Sequence, residues 1–70
     1  MTKSKIINTK KLSFREDPYS QKNLKYFTNK DVLFVDFSKV YYGENDKEFY
    51  KAKDIHGHEG YVIKGGVTPI

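Results

Sequence analysis

The chain has no cysteine. Disulfides are excluded, and so is a zinc site built on thiolates. It has a single arginine, Arg15, against twelve lysines. Arginine is the better bidentate reader of bases and phosphates, so a sequence-specific DNA reader is disfavoured. No apolar run approaches the ~18 residues of a membrane span. The opening "MTKSKIINTKK" is basic, but its only apolar feature is the pair Ile6–Ile7, so it does not read as a signal peptide. If Met1 is the natural start, a cytoplasmic protein is expected. No window of 11–18 residues keeps a capped helical period. No internal repeat, low-complexity tract, G-x-S-x-G elbow or phosphate-cradling glycine loop is present.

What the chain does have is aromatic bulk. Six tyrosines and five phenylalanines stand among 70 residues. Each can bury roughly 150–250 Å², enough for one small domain to fold without staples. Charge is uneven. Residues 1–30 carry eight basic and two acidic side chains; residues 31–70 carry five and seven. A basic first half suits an anionic partner or a solvated lysine-rich tail.

The pattern along the chain is that of short strands. Residues 1–11 read as a basic tail or a loosely added edge strand. Leu12–Phe14 alternates as a half-buried strand. "REDPYSQKN" is turn chemistry around Pro18. Leu24–Phe27 is apolar again, and "TNKD" is a turn. "VLFVDF" (Val32–Phe37) is β-branched and aromatic, with Val40–Tyr42 as a possible extension before the turn at Gly43–Asp46. Phe49–Lys53 and Tyr61–Ile63 are further strands, and "KGG" turns the chain before Val67. Strands with turns about every 8–12 residues predict an all-β small barrel or sandwich. The expected core is Leu12, Phe14, Leu24, Phe27, Val32, Phe34, Ala52, Val62 and Val67. The run Val32–Val35 leaves open which alternate pair faces inward.

Five pieces carry a resemblance: Leu12-x-Phe14-Arg15-x-x-Pro18, Leu24-x-x-Phe27, Asn29-Lys30-Asp31-Val32-x-Phe34-Val35, Phe49-Tyr50-Lys51-Ala52 and Gly57-x-x-Gly60-Tyr61-Val62. In this order they resemble the bacterial SH3 (SH3b) domain family over residues 12–67. Asp17 and Asp31 stand where that family usually has glycine. The resemblance implies an SH3-like barrel of about five or six strands over residues 12–70. It also places Phe49 and Tyr61 where the wider SH3 class lines a groove for proline-rich peptides. Ile63 and Gly66 replace the groove proline and tyrosine, which disfavours that ligand.

The segment "FYKAKDIHGHEGYVI" sets His56, His58 and Glu59 close together. On a regular strand His56 and His58 would share a face and could hold a metal. Gly57 between them makes a hairpin turn the better reading, so no metal is expected. Catalysis is not expected either: the serines lack a motif, and the acid pairs Glu16–Asp17 and Glu44/Asp46 lie in turns. No cofactor is implied. The functional lead is aromatic side chains on loops and strand ends: Tyr19, Tyr41, Tyr42, Phe49 and Tyr61. They point to non-catalytic binding of a protein or peptide partner. The lysine-rich usage with Asn, Ile and Tyr suits a small phage or mobile-element modulator of a host protein. Peptidoglycan is the alternative that the family resemblance implies. Single-stranded nucleic acid is a second alternative, opposed by Asp36, Glu44, Asp46, Glu48 and Asp54 near the aromatics.

Overall fold

Thr2–Ile6 alternates small or apolar residues with Lys3 and Lys5, and that alternation makes it a strand, β1. In the computed structural model, which describes all 70 residues, six more strands follow. They are β2 (Lys11–Arg15), β3 (Asn23–Thr28), β4 (Val32–Tyr42), β5 (Glu48–Lys53), β6 (Glu59–Ile63) and β7 (Val67–Pro69). Single 3₁₀ turns at Glu44–Asp46 and Lys64–Gly66 precede β5 and β7. No helix is long and apolar enough to cross a membrane.

All pairings are antiparallel, in one sheet of order β3-β2-β6-β5-β4-β1-β7. The centre is the meander β4-β5-β6. The β2-β3 hairpin lies on one side, and β1 with β7 on the other. The ladder stays open between β3 and β7. The fold is therefore all-β as expected, but with seven strands and no closed barrel. The sheet still wraps one core, because every strand contributes to it. Ile6, Leu33, Val35 and Val67 meet Leu12, Phe14, Phe27, Ala52 and Val62 in a single cluster. The Phe14 and Phe27 rings tilt together at 4.9 Å.

Three expectations need correction. Residues 1–11 are neither a tail nor an edge strand, because β1 lies between β4 and β7. Ser4 and Ile6 are buried, and the segment after them is tied down by the Ile7 N–H donating to the Gly66 carbonyl at 2.9 Å. Residues 1–11 and 12–70 thus share one sheet. Second, Leu33 and Val35 face inward, leaving Val32 and Phe34 half-buried on the outside. The register decides this: Ser4 lies opposite Leu33, and Ala52 opposite Val35. Third, Leu24 is 44% exposed, since Phe27 takes the inward parity on β3.

Strand β4 runs through Val40–Tyr42, but its register with β5 shifts between Asp36 and Tyr41. Extra residues in one strand bend it and increase its twist. Asp36 braces the irregular stretch by accepting the Ser38 amide at 2.9 Å, together with the Ser38 hydroxyl. The Ser38 hydroxyl and then its amide hold the Asp36 carboxyl below its ordinary value.

Candidate functional site

Across β4-β5-β6, Phe49 lies opposite both Tyr41 and Ile63, and Lys51 opposite both Asp36 and Tyr61. Alternation puts these residues on the outer face of the sheet, away from Ala52 and Val62. The Tyr41 and Tyr61 rings reach over β5 and meet edge to face at 5.2 Å. Lys39 places its ammonium 4.8 Å from the Tyr41 ring centre.

Phe49 was expected among the contact residues, yet it is 1% exposed. Its cover is tertiary. Gly43 is wedged between the Phe49 ring and the Pro18 carbonyl of the Glu16–Lys22 loop, which brings that loop beside Phe49. A methyl group at Gly43 would lie 2.9 Å from the Phe49 ring and would overlap the Pro18 carbonyl. The Arg15 guanidinium lies 5.6 Å from the Phe49 ring centre. Phe49 is thus the buried support of this surface. The depression beside it is about 190 Å³, below the roughly 300 Å³ at which small-molecule sites begin.

Two expected residues stand apart from the tyrosine pair. Tyr19 is 67% exposed on the covering loop, where Asp17 accepts the amides of Tyr19 and Ser20 at 2.8 and 2.9 Å. Gln21 joins this loop to the Glu44 turn by a 3.2 Å hydrogen bond to the Glu44 carboxylate. Tyr42 is exposed but has the opposite parity to Tyr41. It lies across from Glu48, whose carboxylate accepts from Lys64 at 3.1 Å. That hydrogen bond, with the charge of Glu48, raises the Lys64 pKa.

The histidine segment is a turn, and its organiser is Asp54. The Asp54 carboxylate accepts the amides of His56 and His58, each at 2.9 Å. It also meets Lys25 Nζ at 3.0 Å and His58 Nδ1 at 3.1 Å. Burial pushes the Asp54 carboxyl up. The His58 amide, Lys25, the His58 ring and the His56 amide together outweigh it, and the carboxyl lies far below its ordinary range. His56 and His58 are exposed with ring centres 6.2 Å apart, and the fold gathers no group of three metal-competent side chains. Gly57, with φ at +84°, takes the left-handed position that the turn requires.

Sequence reasoning missed Lys39 and Arg15 as partners of the aromatics, and Asp54 as the centre of the turn. Lys39 was within reach of sequence reasoning, since it lies two residues before Tyr41 on β4, whereas Lys25 meets Asp54 only because the β2-β3 hairpin packs beside the β5-β6 turn. The Asx pattern of an aspartate followed by a glycine-containing turn was the available signal for Asp54. No family model matches the chain, and no curated protein or solved structure matches it.

Proposed function

We propose that the protein is a non-catalytic, SH3-like binding module that holds a protein or peptide partner across Tyr41 and Tyr61. The observation that carries this reading is the edge-to-face pair of half-buried tyrosines on a rigid three-stranded meander. Such rings offer a large contact area with little entropy to lose, and their hydroxyls remain available to a partner. Buried Phe49 keeps the floor fixed, and the Glu16–Lys22 loop and the Gly43–Lys47 turn form a rim. The SH3-like reading is supported by the meander, by the hairpin folded beside it, and by the 3₁₀ turn that returns β7 to β1. The non-catalytic reading is supported by Asp54, the one buried carboxylate, being fully engaged as an acceptor. A small phage or mobile-element protein that grips a host protein is one biological form of this module.

Capture from host lysate, followed by titration of the retained partner, tests the proposal. Tyr41→Ala and Tyr61→Ala should each weaken binding by about thirtyfold, the scale of an interface anchor. Tyr42→Ala, of opposite parity, should change it by less than about threefold. Unchanged affinity in both Tyr41→Ala and Tyr61→Ala, with the thermal midpoint preserved, overturns the surface.

A further inference from the structure

A second feature of the outer face lies beside the tyrosine pair. On β1, alternation turns Lys3 and Lys5 outward; on β4 it turns Phe34 and Asp36 outward; on β5, Lys51 and Lys53. Register then aligns them in two cross-strand rows. The first is Lys3–Phe34–Lys53–Glu59. The second is Asp36–Lys51–Tyr61–Arg15. In each row a half-buried ring stands between two cations: Phe34 between Lys3 and Lys53, and Tyr61 between Lys51 and Arg15.

The acids that counted against an anionic ligand are sorted by the fold. Asp54 is buried against Lys25 and His58. Glu48 is paired with Lys64, and Glu44 and Asp46 lie in the 3₁₀ turn. Of the five, only Asp36 shares these rows. Glu59 joins it, held loosely by Lys53 at 3.9 Å with both side chains about half exposed. The two rows therefore carry four cations against two carboxylates, and Lys5 adds a fifth cation from the next outward position of β1.

We infer that this face binds single-stranded nucleic acid without sequence preference, stacking bases on Phe34 and Tyr61 while Lys3, Lys5, Lys51 and Lys53 neutralise phosphates. A ring with one open side accepts any base, and flanking ammonium groups reach the phosphates on either side of it. Lysine in place of arginine suits backbone contact over base reading. The two rings lie two strands and two residues apart, about 12 Å from strand spacing and rise, so they would take two separate bases of one extended strand and not an adjacent pair. The inference goes beyond partner binding at Tyr41–Tyr61. The two surfaces share Tyr61, but Phe34, Lys3 and Lys53 belong only to this one.

The test is fluorescence anisotropy with a labelled twelve-nucleotide oligo-dT across a salt series. Wild-type affinity should fall with a log–log slope of roughly −2 to −3, since each neutralised phosphate of a single strand contributes about 0.7. Phe34→Leu keeps apolar bulk and removes the ring; it should weaken binding by about tenfold, as loss of one stacked base does. The double variant Lys3→Gln, Lys53→Gln should flatten the slope by about 1.4. If Phe34→Leu lowers the thermal midpoint, Tyr61→Leu and the double lysine variant decide in its place. Equal binding of polyphosphate or of an acidic peptide, tighter binding of a duplex, or unchanged oligo-dT affinity in the ring variants overturns the inference. Because Tyr41 lies outside both rows, Tyr41→Ala in the partner titration fails or succeeds separately.

Discussion

Asp54 is the only charged side chain sealed inside the protein, and four donors converge on it. Removing the carboxylate leaves two turn amides without their acceptor and breaks the ion pair to Lys25, whose own ammonium stays in reach of water. Asp54→Ala should therefore cost about 2–3 kcal/mol in urea unfolding, the scale of lost hydrogen bonds to a charged group. The pH dependence follows from the depressed carboxyl. Its stabilisation is fully present above the ordinary aspartate value of 3.8 and is lost as pH falls toward the far lower folded value. The urea midpoint should drop between about pH 4 and pH 2, and Asp54→Asn should flatten that drop. Glycines give a second comparison at this scale. A Cβ at Gly60 would lie 2.6 Å from the Phe14 ring and 2.8 Å from the Arg15 carbonyl, so β6 can pass β2 only without one. Gly60→Ala should cost about 1–3 kcal/mol by overpacking. Gly65 has nothing within 4 Å of that position, and Gly65→Ala should stay within about 0.5 kcal/mol in the same measurement.

Among the elements, β1 holds the most weight for its length. It is the sole neighbour of β7 and supplies Ile6 to the core. Ile6→Ala should destabilise by about 2–4 kcal/mol. Deleting residues 1–6 should abolish cooperative unfolding as followed by circular dichroism, because β7 would then lose its only ladder. This strand was hard to read because its alternation is written in lysines, not in apolar residues. Its inward side is Thr2, Ser4 and Ile6, of which only the last is hydrophobic. The meander was legible because Val, Phe, Tyr and Ile mark each of its strands. In the run Val32–Val35 the inward pair was not legible, since four successive apolar residues carry no period. Of the candidate site, Tyr41 and Tyr61 were legible as aromatics near strand ends. The burial of Phe49 was not, because its cover comes from Pro18 and Gly43, and the Pro18 loop is far away in sequence. Gly60 was legible as a point of close approach, because a glycine within a strand pattern has few other uses.

For the molecule as a whole, the first and last strands pair with each other, while the middle is a local meander. Local hairpins close at lower entropic cost than contacts between chain ends. The β4-β5-β6 meander is therefore expected to form first, with β1 and β7 docking late. In stopped-flow chevrons, Val35→Ala should mainly slow folding. Ile6→Ala and Val67→Ala should mainly speed unfolding. Equal effects on the two limbs from both groups would rule out that order. Folding itself should take milliseconds to seconds, as for other sheets dominated by distant pairings.

The β1–β7 ladder also fixes the geography of the chain ends. The Ile70 amide donates to the Lys3 carbonyl at 3.1 Å, so the termini lie side by side. A short linker between Ile70 and Met1 would close the backbone into a ring, and the chain could be reopened at the exposed Asn29–Lys30 turn. The same geography makes the protein graftable into a surface loop of another protein without prising the loop apart. It also governs how the protein is immobilised: a bulky fusion at either end stands beside Lys3 and shades the row that contains Phe34.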